Sequence, residues 1–154
     1  MNQAPVNIKV RQACIDDAAV IVEFNLAMAL ETENLSLDEE VLNKGVVAVF
    51  EKPNRGEYLV AEIDGRVVGS LLVTAEWSDW RNSQVAWIHS LYVLPQYRGR
   101  GAFRQMFKTI EKRIEKEEFA GVRLYADKTN VSACEIYKKL KMDNEHYLMF
   151  EKMK

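Results

Sequence analysis

Histidine and cysteine are scarce in this chain of 154 residues, with two of each: His89 and His146, Cys14 and Cys134. The cysteines lie far apart without metal-like spacing, so buried thiols in a reducing compartment are a simpler expectation than a disulfide. Two histidines and two scattered cysteines make a poor zinc ligand set, and no metal is expected. Apolar runs are only a few residues long, too short to span a bilayer. The start, Met1-Asn2-Gln3-Ala4-Pro5, lacks the basic and apolar parts of a secretory signal. A cytoplasmic location is the expectation. An excess of one charge is lacking too. With 21 basic and 23 acidic residues the formal net charge is −2, so no overall basic field favours nucleic acid or an anionic membrane. There is no internal repeat, low-complexity tract or Pro/Gly/Ser-rich linker.

What is present reads as one globular domain, 1–154, with 48% hydrophobic and 29% charged residues. Val6 to Val10 has the pattern of a first strand. Ile15, Ala19, Val22, Leu26 and Ala29 then recur at helical spacing, with Asp16 and Asp17 in the first turn, where acids suit the helix dipole. Ser36-Leu37-Asp38-Glu39 reads as a capping box opening a second helix through Val41, Leu42 and Val46. Glu57 to Ile63 and Arg66 to Thr74 flank Asp64-Gly65, a two-residue hairpin signal. Gln84 to Val93 is a third strand candidate. After Gly101, the residues Phe103, Met106, Phe107, Ile110 and Ile114 form one apolar stripe of a charged helix. A strand over Val122 to Ala126 and a helix carrying Ala133, Ile136, Tyr137 and Leu140 follow. A last strand is expected over His146 to Lys152. The order β-α-α-β-β-β-α-β-α-β predicts a mixed, mostly antiparallel α/β sheet flanked by helices.

Chemistry concentrates between Leu91 and Ala102. There a strand passes into a helix through Gln96-Tyr97-Arg98-Gly99-Arg100-Gly101. Such a turn presents unpaired N–H groups at the positive end of a helix, which is a phosphate site. Gly99 and Gly101 permit backbone conformations closed to other residues, and Arg98 and Arg100 add charge. Competing phosphate motifs fail: there is no G-x-x-x-x-G-K-[ST], no third glycine in an early βαβ unit and no G-x-S-x-G elbow. The plain alternative is an ordinary strand-to-helix connection.

The loop resembles the cofactor loop of the GCN5-related N-acetyltransferase (GNAT) family, Gln/Arg-x-x-Gly-x-Gly/Ala, as Gln96 to Gly101. A second motif agrees, since Asn130, Ala133 and Tyr137 fit the family's Asn-x-x-Ala-x-x-x-Tyr. The element order resembles the family's over nearly the whole chain. The resemblance implies acetyl-CoA as co-substrate, with the Leu91, Tyr92 and Val93 backbone along the pantetheine arm. The N–H groups from Gln96 to Ala102 would hold the pyrophosphate, and Asn130 the arm. It implies Tyr137 as general acid, although Tyr137 also fits a core position on its helix. His89 stands where polyamine-acetylating members carry a glutamate base; it is either the base or a packing residue beside Trp87 and Leu91, with ordered water as the other route.

By the same resemblance the first two helices wall the acceptor pocket. The acids there, Glu31 and Glu33 among them, would suit a diamine or polyamine, yet acids at a helix start are also ordinary caps. Trp77, Asp79 and Trp80 either line that pocket or meet a second subunit, and relatives are often homodimers. The family often has Gly where this chain has Lys141, which leaves the path of that turn open. The implied function is transfer of acetyl to a primary amine of a small molecule or protein in a ternary complex. A non-catalytic acyl-CoA-binding module and a ligand-free interaction domain are the competing readings.

Overall fold

At Asp64-Gly65 the chain reverses as its sequence predicts, with both residues at positive φ, 51° and 75°, the conformation that matches strand twist in a tight hairpin. The turn joins β2 (Glu57–Ile63) to β3 (Arg66–Ser78), which pair antiparallel from Ile63↔Arg66 to Glu57↔Val73. β1 (Ile8–Gln12) pairs with the other edge of β2, and β4 (Ser83–Val93) with β3. β5 (Val122–Leu124) completes a five-stranded mixed sheet in the order β1-β2-β3-β4-β5. The computed structural model describes residues 6–154. Residues 1–5, on which the absence of a secretory start is read, lie outside them.

The chain divides into two units, Met1–Arg123 and Leu124–Lys154. In the first, Tyr58 to Ala61 of β2 are all buried, which requires cover on both faces of the sheet. Helices α1 (Ala18–Glu33) and α2 (Glu39–Glu51) cover one face, where Ala18, Ile21, Val22 and Val46 pack with Tyr58 and Val60. Helix α3 (Ala102–Glu115) lies against β1 and β2, with Met106, Phe107 and Ile110 buried. Each such side chain contributes about 1.5–3 kcal/mol on burial. Arg11 of β1 ties the edge together, with its guanidinium on both carboxylate oxygens of Asp17 (2.7 and 2.9 Å) and on Glu62 (2.8 Å). Asp17 is buried, and Arg11 holds its carboxyl below the usual carboxylate range.

Several expectations are corrected. Helix α2 is capped by Asp38, whose Oδ1 accepts from the Val41 N–H at 3.0 Å; Ser36 lies outside the helix, so the cap stands two residues later than expected, and with Val41 at the third helical position it is a single N-cap bond rather than a box. Strand β3 runs four residues beyond Thr74, because its long hairpin partner β4 continues to pair with it. Cys14 is exposed and Cys134 half-buried, and both are free thiols. No strand forms over His146 to Lys152. A strand needs a neighbour for its backbone groups, and among the described residues of the second unit only Leu124, the end of β5, belongs to a strand.

That unit is built on helix α4 (Val131–Lys139), which closes in the manner usually assigned to glycine. Lys141 adopts φ 63°, while Met142 N–H bonds Tyr137 O (3.1 Å) and Lys141 N–H bonds Lys138 O (2.9 Å). The turn keeps its path with lysine in it. Among the described residues no helix is long and apolar enough to cross a membrane.

Candidate functional site

The site begins with an irregularity in β4. Ser70 faces Tyr92 and Leu72 faces His89, so Ser90 and Leu91 together oppose Leu71. Ser90 takes φ 50°, a left-handed conformation that costs a non-glycine residue about 1–2 kcal/mol. This β-bulge bends the strand and redirects its backbone. Gly69 accommodates the bend, since a Cβ there would stand 2.9 Å from Tyr92 O and 3.1 Å from Val93 Cγ2. On the other side, the bonds that join β4 to the start of β5 lie early in the strand: Ala86 N–H to Gly121 O (2.9 Å) and Ala120 N–H to Gln84 O (2.8 Å). Because β5 is only three residues long, Ser90 to Val93 run past its end. At this bend Tyr92 and Val93 stay paired with Ser70 and Gly69 of β3, and Val93 O accepts from Arg98 Nε.

Beyond Val93 the chain makes a short turn, Pro95–Tyr97, then Gly99 and Gly101 at φ 74° and 93°, then α3. A Cβ at Gly99 would meet nothing within 4 Å, so conformation rather than crowding demands glycine there. The first bond of α3 runs from Gln105 N–H to Gly101 O (3.0 Å); the N–H groups of Gly101 and Ala102 have no carbonyl acceptor among the described residues. These unspent donors at the positive end of a 14-residue helix fit a diphosphate. Tyr97 N–H is already used on Leu94 O and Arg98 N–H on Pro95 O, so the cradle is narrower than Gln96 to Ala102. Gln96 is exposed.

Arg98 does not aim its charge at this cradle. Its guanidinium grips both Glu31 oxygens (2.9 and 2.7 Å), bonds Val93 O (2.9 Å) and lies over the Tyr92 ring. Arg98 in turn holds the Glu31 carboxyl below its usual range. Tyr92 is buried, packs on Phe24 of α1 at 5.5 Å, and its phenol is pushed up by that burial and by Glu31. Arg100 instead lies over Tyr97.

His89 is half-buried on β4, with Nε2 2.8 Å from Thr74 Oγ1 and its ring stacked on Trp87 at 6.2 Å. Burial lowers its pKa and favours the neutral imidazole. Trp87 Nε1–H donates to Glu76 (3.1 Å), whose other oxygen takes Arg123 (2.6 Å). The expected acceptor residues are not gathered. Glu31 is engaged by Arg98, Glu33 is exposed at the end of α1, and Trp77, Asp79 and Trp80 are exposed at the β3–β4 turn. No hydrogen bond or ring contact joins these two groups among the described residues.

In the second unit, Asn130 caps α4, its Oδ1 accepting from the Ala133 N–H (3.2 Å). Tyr137 stands two turns on, with its pKa raised by burial and by Cys134. No group of three or more potential metal ligands occurs among the described residues. Ser90 and Gly69 escaped the sequence reading. A glycine inside an apolar strand opposite a chemistry-bearing segment was the available signal.

The bulged end of β4 thus runs into a glycine-built helix N-terminus whose Gly101 and Ala102 N–H groups have no carbonyl partner among the described residues. The model of the acetyltransferase (GNAT) family matches residues 24–142, and the chain belongs to that family. The crystal structure of a possible acetyltransferase from Clostridium difficile 630 is 40% identical, with a TM-score of 0.87 over 95% of this chain and 97% of that one. A predicted acetyltransferase with acetyl-CoA from Clostridium acetobutylicum, 16% identical, shares the fold with a TM-score of 0.72 over 94% of this chain and 96% of its own. An uncharacterized N-acetyltransferase from Archaeoglobus fulgidus is 36% identical over 81 residues, covering 51% of this chain and 54% of that protein. The chain spans about half the length of the curated relatives it matches.

Proposed function

We propose that the chain is an acetyl-CoA-dependent N-acetyltransferase, one domain over 1–154, acting on a primary amine by direct attack in a ternary complex. The observation that carries this is the junction of the Ser90 bulge with the free Gly101 and Ala102 N–H groups. One feature offers a bent strand edge for a pantetheine arm and the other a cradle for a diphosphate. The family match crosses the division between the two units, as a single functional domain requires.

Much of the acceleration comes from orienting amine and thioester together. The amine nitrogen attacks the thioester carbonyl carbon, the C–S bond breaks, and the departing sulfur takes a proton. Tyr137 gives that proton; a phenol whose pKa is raised stays protonated until it is needed. His89, kept neutral by burial, accepts the proton lost by the amine, directly or through water. Leu91 to Val93 and Asn130 bind the arm, with Ala133 beside it on α4. The acceptor class we favour is a diamine or other small amine, drawn by Glu33 and received near Trp77, Asp79 and Trp80. With Glu31 neutralised by Arg98, that attraction is weaker than the acid count implies. A cytoplasmic homodimer completes the proposal.

The test is thiol release from acetyl-CoA across an amine panel, with Tyr137→Phe beside the parent protein. Turnover should fall by about tenfold or more, within the range general acid catalysis supplies, while CoA affinity stays within about twofold. Unchanged turnover removes Tyr137 from the chemistry. Tight acetyl-CoA binding with no turnover on any amine replaces the enzyme with a binding module.

A further inference from the structure

Tyr97, at the end of the turn before the glycines, is half-buried and flanked by two guanidinium groups. Arg100 Cζ is 5.3 Å and Arg66 Cζ 5.9 Å from the ring centroid. Arg66 opens β3, directly after the Asp64-Gly65 turn, so the hairpin brings a cation from a different part of the sequence to the loop. Arg98 beside them is neutralised by Glu31, and Arg11, Arg113 and Arg123 likewise have carboxylate partners. Arg66 and Arg100 have none among the described residues. Two exposed like charges held near one aromatic ring, without a carboxylate counter-ion, attract a dianion to this end of the loop. Each cation–π contact contributes only about 0.5–1 kcal/mol at an exposed site, enough to orient the guanidinium groups but not to neutralise them. The flat guanidinium fork suits phosphate oxygens.

The diphosphate has its own donors one residue further on, at Gly101 and Ala102. A second phosphate site next to it calls for a ligand that carries a phosphomonoester close to its diphosphate. Coenzyme A has one, on the ribose 3′ position. Resting on the donor reading above, we propose that Arg66, Tyr97 and Arg100 form the subsite for the 3′-phosphate of the donor and make the protein selective for CoA over its 3′-dephospho form.

Calorimetric titration with CoA and with 3′-dephospho-CoA tests this on the parent protein, on Arg66→Met/Arg100→Met, and on Lys108→Met/Lys112→Met. The last pair lies on α3, is exposed, and changes net charge equally. The parent should bind CoA about tenfold or more tighter than dephospho-CoA, as a charge-assisted phosphate contact implies. The arginine variant should bind the two alike, with its dephospho-CoA affinity within about threefold of the parent's, and the lysine variant should keep the preference. Equal binding of both ligands by the parent, or a preference retained by the arginine variant, overturns the subsite while leaving the donor reading standing. Loss of preference in the lysine variant overturns it too, since net charge would then be the cause. A parent that binds neither ligand overturns both.

Discussion

Gly101 offers the sharpest test of the loop, because its replacement by alanine is conformational and nothing else. The residue caps α3 at φ 93°, and the nearest heavy atom to an added Cβ is Ile8 Cδ1 at 4.0 Å. The cost is that of a left-handed alanine, about 1–2 kcal/mol. For a chain of this size each kcal/mol lowers Tm by about 2–4 °C, so Gly101→Ala should melt about 2–8 °C lower. Gly45 is the internal control. It lies inside α2 without positive φ, and an added Cβ meets nothing within 4 Å. Gly45→Ala should therefore gain about 0.5–1 kcal/mol. Scanning calorimetry of both variants, with and without acetyl-CoA, separates fold from site. If alanine is forced to keep the glycine conformation, the ligand-induced rise in Tm survives; if it relaxes, the free N–H groups turn away and that rise shrinks. An unchanged Tm for Gly101→Ala beside a raised one for Gly45→Ala would refute the assigned backbone.

Three further outcomes follow. With His89 as the base, kcat/KM should fall at acid pH with a midpoint below the ordinary histidine value near ~6.5, because burial lowers this pKa; His89→Gln should abolish that limb, and an unchanged profile transfers the role to water. Asp17→Asn should cost about 2 kcal/mol, less than the full loss of a buried pair because Arg11 is partly exposed. Since the folded Asp17 pKa is depressed, its stabilisation is complete above the unfolded value and lost as pH falls through the folded one. The acid decline in Tm should thus be shallower in the variant than in the parent. Lys141→Gly should relieve a left-handed lysine by about 0.5–1 kcal/mol, read as slower amide exchange at Met142, and faster exchange would contradict the turn.

The sequence made local features legible and left tertiary ones hidden. The 3.6-residue stripe of α3, the Asp64-Gly65 turn and the two loop glycines each carry their cause within a few residues. Ser90 does not: a serine at positive φ has no composition signature, and its bulge is forced by the register of β4 against β3. The Glu31–Arg98 pair spans 67 positions and could not be seen as a pair, so Glu31 looked like a free acid. Asp38 was within sight but lost to the Ser36–Glu39 box, because both satisfy a capping pattern and only the helix start decides. His146 to Lys152 has strand composition, yet composition cannot supply the neighbour that a ladder needs.

The Glu31–Arg98 pair also has a thermodynamic meaning. It ties the last turn of α1 to the loop between β4 and α3, so whatever displaces one end is felt at the other. Both side chains are nearly half exposed, 42% and 45%, and exposed pairs are worth about 0–1 kcal/mol. Cooperativity between donor and acceptor transmitted through this pair alone is therefore capped at about fivefold in affinity, and it should fade as added salt screens the two charges.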